Sequence, residues 1–256
     1  MGFKHILKAV GPVVALAIAG SLASCGEGDV KLNGKEGVPL SELDLSGEAP
    51  SEVILLGPDK VDIRDGEKLA IEVEGSDEAK ERMRFVLNDG SLGVLRDKGH
   101  WNDESGVATV IVTMPAAAKL TLAGSGQMSA ASVSDEPEIN VAGSGTLELA
   151  SVNARKLEIN IAGSGSLKAA GTTDKLELNL MGSGSADLSA LKVGSANVNV
   201  AGSGDATFAS DGDVNANIMG SGDVTVKGRA RCKVHTIGSG SLVCESGSQE
   251  AGDKAA

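Results

Sequence analysis

A Gly-Ser-Gly triplet recurs seven times in the second half of this chain and constrains its fold more than any other feature. The triplet begins at residues 124, 143, 163, 182, 202, 220 and 238, so successive copies are 18 to 20 residues apart. A nearly constant period of this length is typical of a solenoid, in which each repeat is one coil stacked on its neighbours. Because a single coil cannot bury its own apolar side, the repeats are expected to form one continuous stack.

Each triplet lies between two segments in which apolar and polar residues alternate. Apolar residues stand four and two positions before the first glycine, as in Ile159 and Ile161, and resume after the triplet, as in Leu147 and Leu149. Alternation with a period of two predicts β-strands with one apolar face. One coil is therefore a strand, a glycine corner, a second strand and a return segment. Stacking would pair neighbouring coils as parallel ladders, and the fold class is all-β.

Asparagine occupies the position three residues before the corner in five consecutive coils. These residues are Asn140, Asn160, Asn179, Asn199 and Asn217. Stacking places them above one another, where their side-chain amides can hydrogen-bond from coil to coil. We interpret this ladder as structural support for the register of the coils, in preference to a polar binding stripe.

The first 24 residues are predicted to be a signal peptide of the lipoprotein type, including a signal helix. Lys4 and Lys8 precede a short apolar run, which ends in Leu22-Ala23-Ser24-Cys25. The run is too short for a standard membrane span. The last four residues resemble a bacterial lipobox, which implies that Cys25 is acylated. The following residue, Gly26, by analogy favours sorting to the outer membrane. The alternative is ordinary secretion, with cleavage nearby and no lipid.

The remaining boundaries follow from composition. Residues 25–45 are polar and glycine-rich, which indicates a flexible tether. Residues 46–245 form the predicted β-helix domain, with the glycine-corner repeats at 118–244. The part before residue 118 alternates without triplets, so it is either the start of the same solenoid or a β-rich cap on it. Residues 246–256 are small and polar and are predicted to be a disordered tail.

Two cysteines remain after Cys25, and both fall in the last repeat. Cys232 is six residues before the seventh corner and Cys244 is six residues after it. Both positions belong to the inward-facing set, so the thiols could meet across the core in an oxidising compartment. The sequence predicts a disulfide within the last coil. This coil has a neighbouring coil on one side only, and the covalent bond compensates for the missing packing. Two buried free thiols are the alternative.

Charge and composition exclude some classes of partner. The formal net charge is −12. It becomes −14 without the signal peptide, because 21 Lys and Arg then remain against 35 Asp and Glu. An acidic surface repels phosphate backbones, so no nucleic acid is expected as a partner. One Trp, three Phe and no Tyr leave few rings for stacking on sugars.

No catalytic constellation, metal site or cofactor site is expected. His5 leaves with the signal peptide, His100 lies in a polar loop, and His235 stands at the ladder position of the last coil. Gly220 to Val226 resembles one calcium-binding β-roll nonapeptide, but the motif needs tandem copies at period nine. Here only Asp205 and Asp223 occupy the Asp position. A pectate-lyase-type enzyme, which also uses a β-helix, is the enzymatic alternative; it lacks a visible cluster of acids and cations.

The stretches Leu120-Thr121-Leu122-Ala123-Gly124-Ser125-Gly126 and Ile159 to Gly165 resemble the putative auto-transporter adhesin, head GIN domain family. The alternating stretch from Lys60 to Gly66 fits the same resemblance, which covers roughly residues 50–245. It implies a single-stranded, right-handed parallel β-helix, similar in shape to pectin lyases but without their catalytic residues. It also implies an adhesive surface role. It assigns a functional role to no individual residue of this chain, because the shared pattern is structural.

The sequence thus predicts a non-enzymatic envelope lipoprotein, anchored by lipid to the bacterial outer membrane. Its function would be that of an adhesin or surface binding module, with an envelope protein or polymer as partner. Whether it faces the periplasm or the outside is left open. The alternative is a structural component that forms homo-oligomers through the ends of the solenoid.

Overall fold

In the computed structural model of this chain, the described residues are 31–32, 34–97, 106–245 and 249–250. Within them lie a 3-10 turn (Leu40–Glu42), one α-helix, α1 (Asp77–Glu81), and nineteen β-strands. The strands are β1 (Lys31–Leu32), β2 (Lys35–Glu36), β3 (Glu52–Leu56), β4 (Lys60–Asp65), β5 (Ala70–Glu74), β6 (Met83–Asn88), β7 (Ser91–Arg96), β8 (Thr109–Met114), β9 (Ala117–Gly124), β10 (Gln127–Gly143), β11 (Thr146–Gly163), β12 (Ser166–Gly182), β13 (Ser185–Gly202), β14 (Asp205–Ser210), β15 (Asp213–Gly220), β16 (Asp223–Lys227), β17 (Arg231–Gly238), β18 (Ser241–Cys244) and β19 (Gln249–Glu250). No described helix has the length and apolar character of a membrane span. The predicted signal helix in residues 1–24 and Cys25 lie outside the described residues.

The repeats stack as a right-handed parallel β-solenoid, as predicted. Equivalent residues of successive coils are paired in register on both sides of each corner. The register shifts locally after the first strand of a coil, for example between Leu149 and Val152. One column of paired residues is Leu120, Ile139, Ile159, Leu178, Val198, Ala216 and Val234. All but the last of these side chains are buried, so they form a continuous aliphatic core along the axis.

Each coil has three sides, which the phase of the alternation reveals. In β11 the buried apolar side chains are Leu147 and Leu149, then Val152 and Ala154, then Leu157, Ile159 and Ile161. The period of two breaks twice, once between each group. A break in phase turns the strand while keeping its apolar side inward. The three sides are a strand after the corner, a return segment and a strand before the corner.

The glycine corners form a column, and their backbones pack too closely for any side chain. The amide of Ser164 donates to the carbonyl of Gly143 one coil earlier at 2.8 Å, and the other corners repeat this bond. Gly163 has a φ of +114°, and a Cβ added there would lie 2.5 Å from the oxygen of Gly143. Only glycine combines this backbone conformation with this approach.

The solenoid contains a further corner that lacks the triplet. Gly57-Pro58-Asp59 lies beneath the first triplet, where Gly126 donates its amide to the carbonyl of Gly57 at 2.9 Å. Gly57 has a φ of +129°, equal to that of Gly124 above it. The solenoid therefore extends into the segment before residue 118, which is one of the two alternatives left open by the sequence.

The same segment also forms a cap over this end of the solenoid. The order of its coils in space differs from their order along the chain. β3 pairs in parallel with β9 on one side and β7 on the other, and β4 lies likewise between β10 and β8. The coil made by β7 and β8 is thus the first in space but the second along the chain. β5 and β6 then pair antiparallel with β8 and β7, which covers the edges at this end.

A buried ion pair links the first two coils. Arg96 Nε and Nη2 donate to Asp59 at 2.6 and 2.7 Å, and both side chains are at most 1% exposed. Asp59 also accepts the amide of Ala108 at 2.9 Å, and Arg96 donates to the carbonyl of Gly106. The pair holds the end of β7 and the start of β8 against the Gly57 corner.

The predicted tether at 25–45 differs from the structure in its described part. Leu32 is buried, and Leu40, Leu43 and Leu45 pack against the core. Val38 and Phe85 exchange backbone hydrogen bonds at 2.9 and 2.8 Å. The folded part therefore begins well before residue 46, because four leucines at spaced positions find apolar surface on the cap. Their spacing within a polar, glycine-rich segment concealed this.

The last coil is closed by a disulfide between Cys232 and Cys244, as predicted. Cys232 is buried, and it lies in the column that contains Val214 one coil earlier. Within the predicted disordered tail at 246–256, Gln249–Glu250 pair in parallel with Cys232 and Lys233 as β19. The other tail residues lie outside the described part.

Replacing both Cys232 and Cys244 by alanine is expected to loosen the last coil selectively. The bond closes a loop of 13 residues and is worth about 3 kcal/mol in the chain-entropy view. Amide hydrogen exchange should accelerate in β17 and β18 while β11 stays protected. Equal acceleration in all three strands would contradict a local role. Thiol counting on the denatured, unreduced chain should find neither thiol of this pair.

Candidate binding faces of the solenoid

The asparagine ladder is complete over the five coils in which asparagine was found. Each side-chain amide donates to the oxygen of the preceding one: Asn160 to Asn140 at 3.1 Å, Asn179 to Asn160 at 2.9 Å, Asn199 to Asn179 at 2.9 Å and Asn217 to Asn199 at 3.0 Å. Asn140 starts the chain of bonds by donating to Glu138 at 2.8 Å. His235 is paired in register with Asn217, as its position in the repeat indicates.

The ladder becomes more exposed toward the C-terminal end. Asn140 and Asn160 are buried, Asn179 is half-buried, and Asn199 and Asn217 are exposed. A second, parallel step lies beside it, where Asn215 donates to Asn197 at 3.4 Å. The buried first members of the ladder can therefore only hold the coils in register, whereas the last members also face solvent.

A charged column runs beside the ladder in the earlier coils. Glu158 and Glu177 both contact Lys156, at 3.0 and 2.9 Å, and Glu177 also contacts Lys175 at 2.6 Å. Glu138 lies 3.4 Å from Lys119. The Lys156–Glu177 and Lys119–Glu138 contacts join neighbouring coils, and all of these contacts balance the charge of the glutamates.

The pKa of Glu177 is held below its usual value of 4.5, first by its hydrogen bond from Lys175 and then by that from Lys156. A carboxylate with a lowered pKa stabilises the fold above its ordinary pKa, and this contribution disappears as pH falls through the lowered value. The Glu177→Gln variant should therefore be less stable than the parent at pH 7, by up to about 1 kcal/mol for so exposed a network. The melting temperatures of the two proteins should therefore converge as the pH falls below 4.5 and through the lowered pKa of Glu177. A gap that stays constant with pH would contradict it.

An apolar column runs on the other side of the ladder, one residue before each corner. Its paired members are Ala123, Ala142, Ala162, Met181, Ala201, Met219 and Ile237. Met181, Met219 and Ile237 are 42%, 57% and 55% exposed. We call the outward side of these strands, with its charged, amide and apolar columns, the ladder face.

The chain covers one end of the ladder face with its own N-terminal elements. Leu32 of β1 and Val86 of β6 pack on Ile54, Leu56 and Leu95, next to Ala123. A Cβ added to Gly93 would meet Leu32 at 2.5 Å, so glycine makes room for that leucine. Within the described residues, the coils after Ala123 have no such cover.

Acidic residues in the later coils bind the coil that follows them. Asp205 accepts the amide of Asp223 at 2.9 Å, and Asp223 accepts the amide and hydroxyl of Ser241 at 3.0 and 2.7 Å. Asp213 accepts two hydrogen bonds from Arg231, at 2.8 and 2.9 Å. The weak likeness to a calcium β-roll thus corresponds to backbone capping between coils. Among the described residues, no group of three His, Cys, Asp or Glu could hold a metal ion.

The ladder and the disulfide could be predicted from the sequence because both follow from the repeat. The sequence missed the Arg96–Asp59 pair, since these residues are 37 positions apart and lie outside the triplets. Gly57 could have been found, because Val53, Leu55, Val61 and Ile63 stand at the same offsets from it as the apolar residues around Gly124. His100 and Cys25 lie outside the described residues.

Solved structures with the same fold come from Bacteroides and Parabacteroides species. A crystal structure of a putative adhesin from Bacteroides fragilis has a TM-score of 0.71 at 17% identity, covering 77% of this chain and 93% of that one. A putative adhesin from Parabacteroides distasonis has a TM-score of 0.64 at 19% identity, covering 78% and 94%. A putative lipid binding protein from the same species has a TM-score of 0.61 at 22% identity, covering 77% and 93%. At these identities the likeness shows the fold alone.

Family membership follows from the sequence itself. Among curated proteins, none matches this chain. The model of one family matches residues 49–230, which spans the cap and all but the last coil of the solenoid described above. The chain therefore belongs to the putative auto-transporter adhesin, head GIN domain family.

Proposed function

We propose that this protein is an exported, lipid-anchored surface-binding module without catalytic activity. Its membership of an adhesin family carries the proposal, and the repeated outward columns of side chains support it. A solenoid presents the same chemical groups at intervals of about 4.8 Å, which suits binding to an extended or repetitive partner. The partner class is an envelope protein or polymer of the same or another cell.

The lipid anchor of the proposal is Cys25, at the end of Leu22-Ala23-Ser24-Cys25. Leu32 is packed on the cap and lies seven positions after Cys25, so the chain between them spans at most about 25 Å. The cap would then lie close to the outer membrane, with the last coil farthest from it. Replacing Cys25 by serine should release the protein from the membrane fraction, and persistence there would contradict acylation.

A strain that lacks the protein tests the binding role directly. We expect it to attach less to host cells, to other bacteria or to a polymer-coated surface, and the intact gene should restore attachment. Protease treatment of intact cells should remove the protein if it faces outward. Unchanged attachment on all three surfaces would reject the proposal.

Self-assembly is the second candidate function, and one observation favours it. Ile237 and Val243, at 55% and 50% exposure, place apolar side chains on the last coil, whereas antiparallel strands cover the first. Association through the last coils would give closed dimers. Oligomers that increase with concentration, with no captured envelope partner, would favour this function over adhesion.

A further inference from the structure

The ladder face contains one region without charge. In the coils that end at Gly202 and Gly220, its three columns consist of Asn197, Asn199 and Ala201, followed by Asn215, Asn217 and Met219. All of them except half-buried Ala201 are exposed. We call these six residues the neutral amide patch. In a chain whose formal net charge is −12, a patch of four amides and two apolar side chains differs from its surroundings.

The amides of this patch keep hydrogen-bonding capacity beyond the ladder. A carboxamide has two N–H donors and an oxygen with two lone pairs. Asn199 donates one N–H to Asn179 and accepts one from Asn217. One donor and one lone pair of its side chain are therefore not needed by the ladder. The ladder also fixes the orientation of each amide, which reduces the entropy lost when a ligand binds.

The chemistry of the patch matches a neutral glycan. Sugar hydroxyls donate and accept, as the remaining amide groups require, and the C–H faces of sugar rings can pack on Ala201 and Met219. The column in which Asn197 and Asn215 stand continues as Glu177 in the preceding coil and as Lys233 in the following coil. The formal net charge of −12 disfavours an anionic polymer along this surface. Because the columns are straight, the glycan should be extended as well as neutral.

We propose that the neutral amide patch binds an extended, uncharged glycan chain. This inference rests on the proposed surface-binding function and names its ligand class. Because aromatic rings are missing from these columns, affinity per sugar should be low and should increase with chain length, as more coils are engaged.

The test compares two exposed apolar residues on different sides of the solenoid. Met219 is 57% exposed within the patch, and Val243 is 50% exposed on the strand after the corner. Cellohexaose serves as the extended neutral probe, a dextran oligosaccharide of equal length as a flexible neutral control, and polygalacturonate as an extended anionic control. Binding to the purified chain is measured by titration calorimetry, and the melting temperature of each variant is checked.

Cellohexaose should bind better than either control. Met219→Glu should weaken it at least about tenfold, because the patch then carries a buried charge in the complex. Val243→Glu should leave binding unchanged. The proposal is overturned if cellohexaose does not bind, if polygalacturonate binds better, or if both variants weaken binding equally. Failure here with loss of attachment in the deletion strain would leave the surface-binding function standing and reject only the glycan.

Discussion

Replacing Gly163 by alanine is expected to destabilise the solenoid by about 3 kcal/mol or more. The residue has a φ of +114°, which costs an L-residue about 1–3 kcal/mol, and the new methyl group would lie 2.5 Å from the oxygen of Gly143. Relieving that contact forces two coils apart and disrupts the hydrogen bond from Ser164 to Gly143, which adds about 1–3 kcal/mol more. Urea unfolding of both proteins measures the difference.

Ser164→Ala is the matched control for this prediction. It changes the neighbouring residue of the same corner but keeps the backbone amide that donates to Gly143. Its stability should stay within about 0.5 kcal/mol of the parent, as for other surface substitutions. If Gly163→Ala were equally mild, the close approach of the coils would not be what requires glycine.

Replacing Arg96 by methionine should cost about 3–5 kcal/mol, because it leaves the Asp59 carboxylate buried without its cation. The double variant Arg96→Met, Asp59→Asn removes the charge but keeps an oxygen for the amide of Ala108. It should recover more than half of the loss. Thermal and urea unfolding of the parent, the single variants Arg96→Met and Asp59→Asn, and the double variant gives the coupling between the two positions.

The double variant also separates two explanations of the loss. If Arg96→Met and the double variant are equally unstable, the lost packing of the long side chain is responsible, and the uncompensated charge is not. We expect the largest effect on the cap, because the pair joins the Gly57 corner to the strands β7 and β8. The amides of β7 should exchange faster than those of β12 in the single variant.

The region from the first triplet onward could be predicted because each repeat supplies independent information on the same structure. Ile159 and Ile161 alternate with polar neighbours, Gly163 marks the corner, and Asn160 recurs at the same offset in the next coil. Local pattern and long-range pairing agree there, since the neighbour in space is always the next repeat in sequence. The disulfide followed from the same offsets.

The cap could not be derived in this way. β3 lies between β7 and β9, so contacts there join segments that are neither adjacent repeats nor similar in sequence. Leu32 and Leu40 look like parts of a polar linker until the surface they cover is known. Such pairings depend on which apolar surface remains exposed after the coils have formed. The alternation of apolar and polar residues along the chain does not indicate which surface that is.

By itself, the sequence determined the periodic part of this protein: the stack, its glycine corners, the asparagine ladder and the staple of the last coil. Only the tertiary structure decided how the first coils are ordered, which buried charges pair, and where the ladder face is covered or open. The physical reason is that a repeat specifies its own neighbours through equal spacing. The two ends of a solenoid have a neighbour on one side only, and non-periodic segments must cover them.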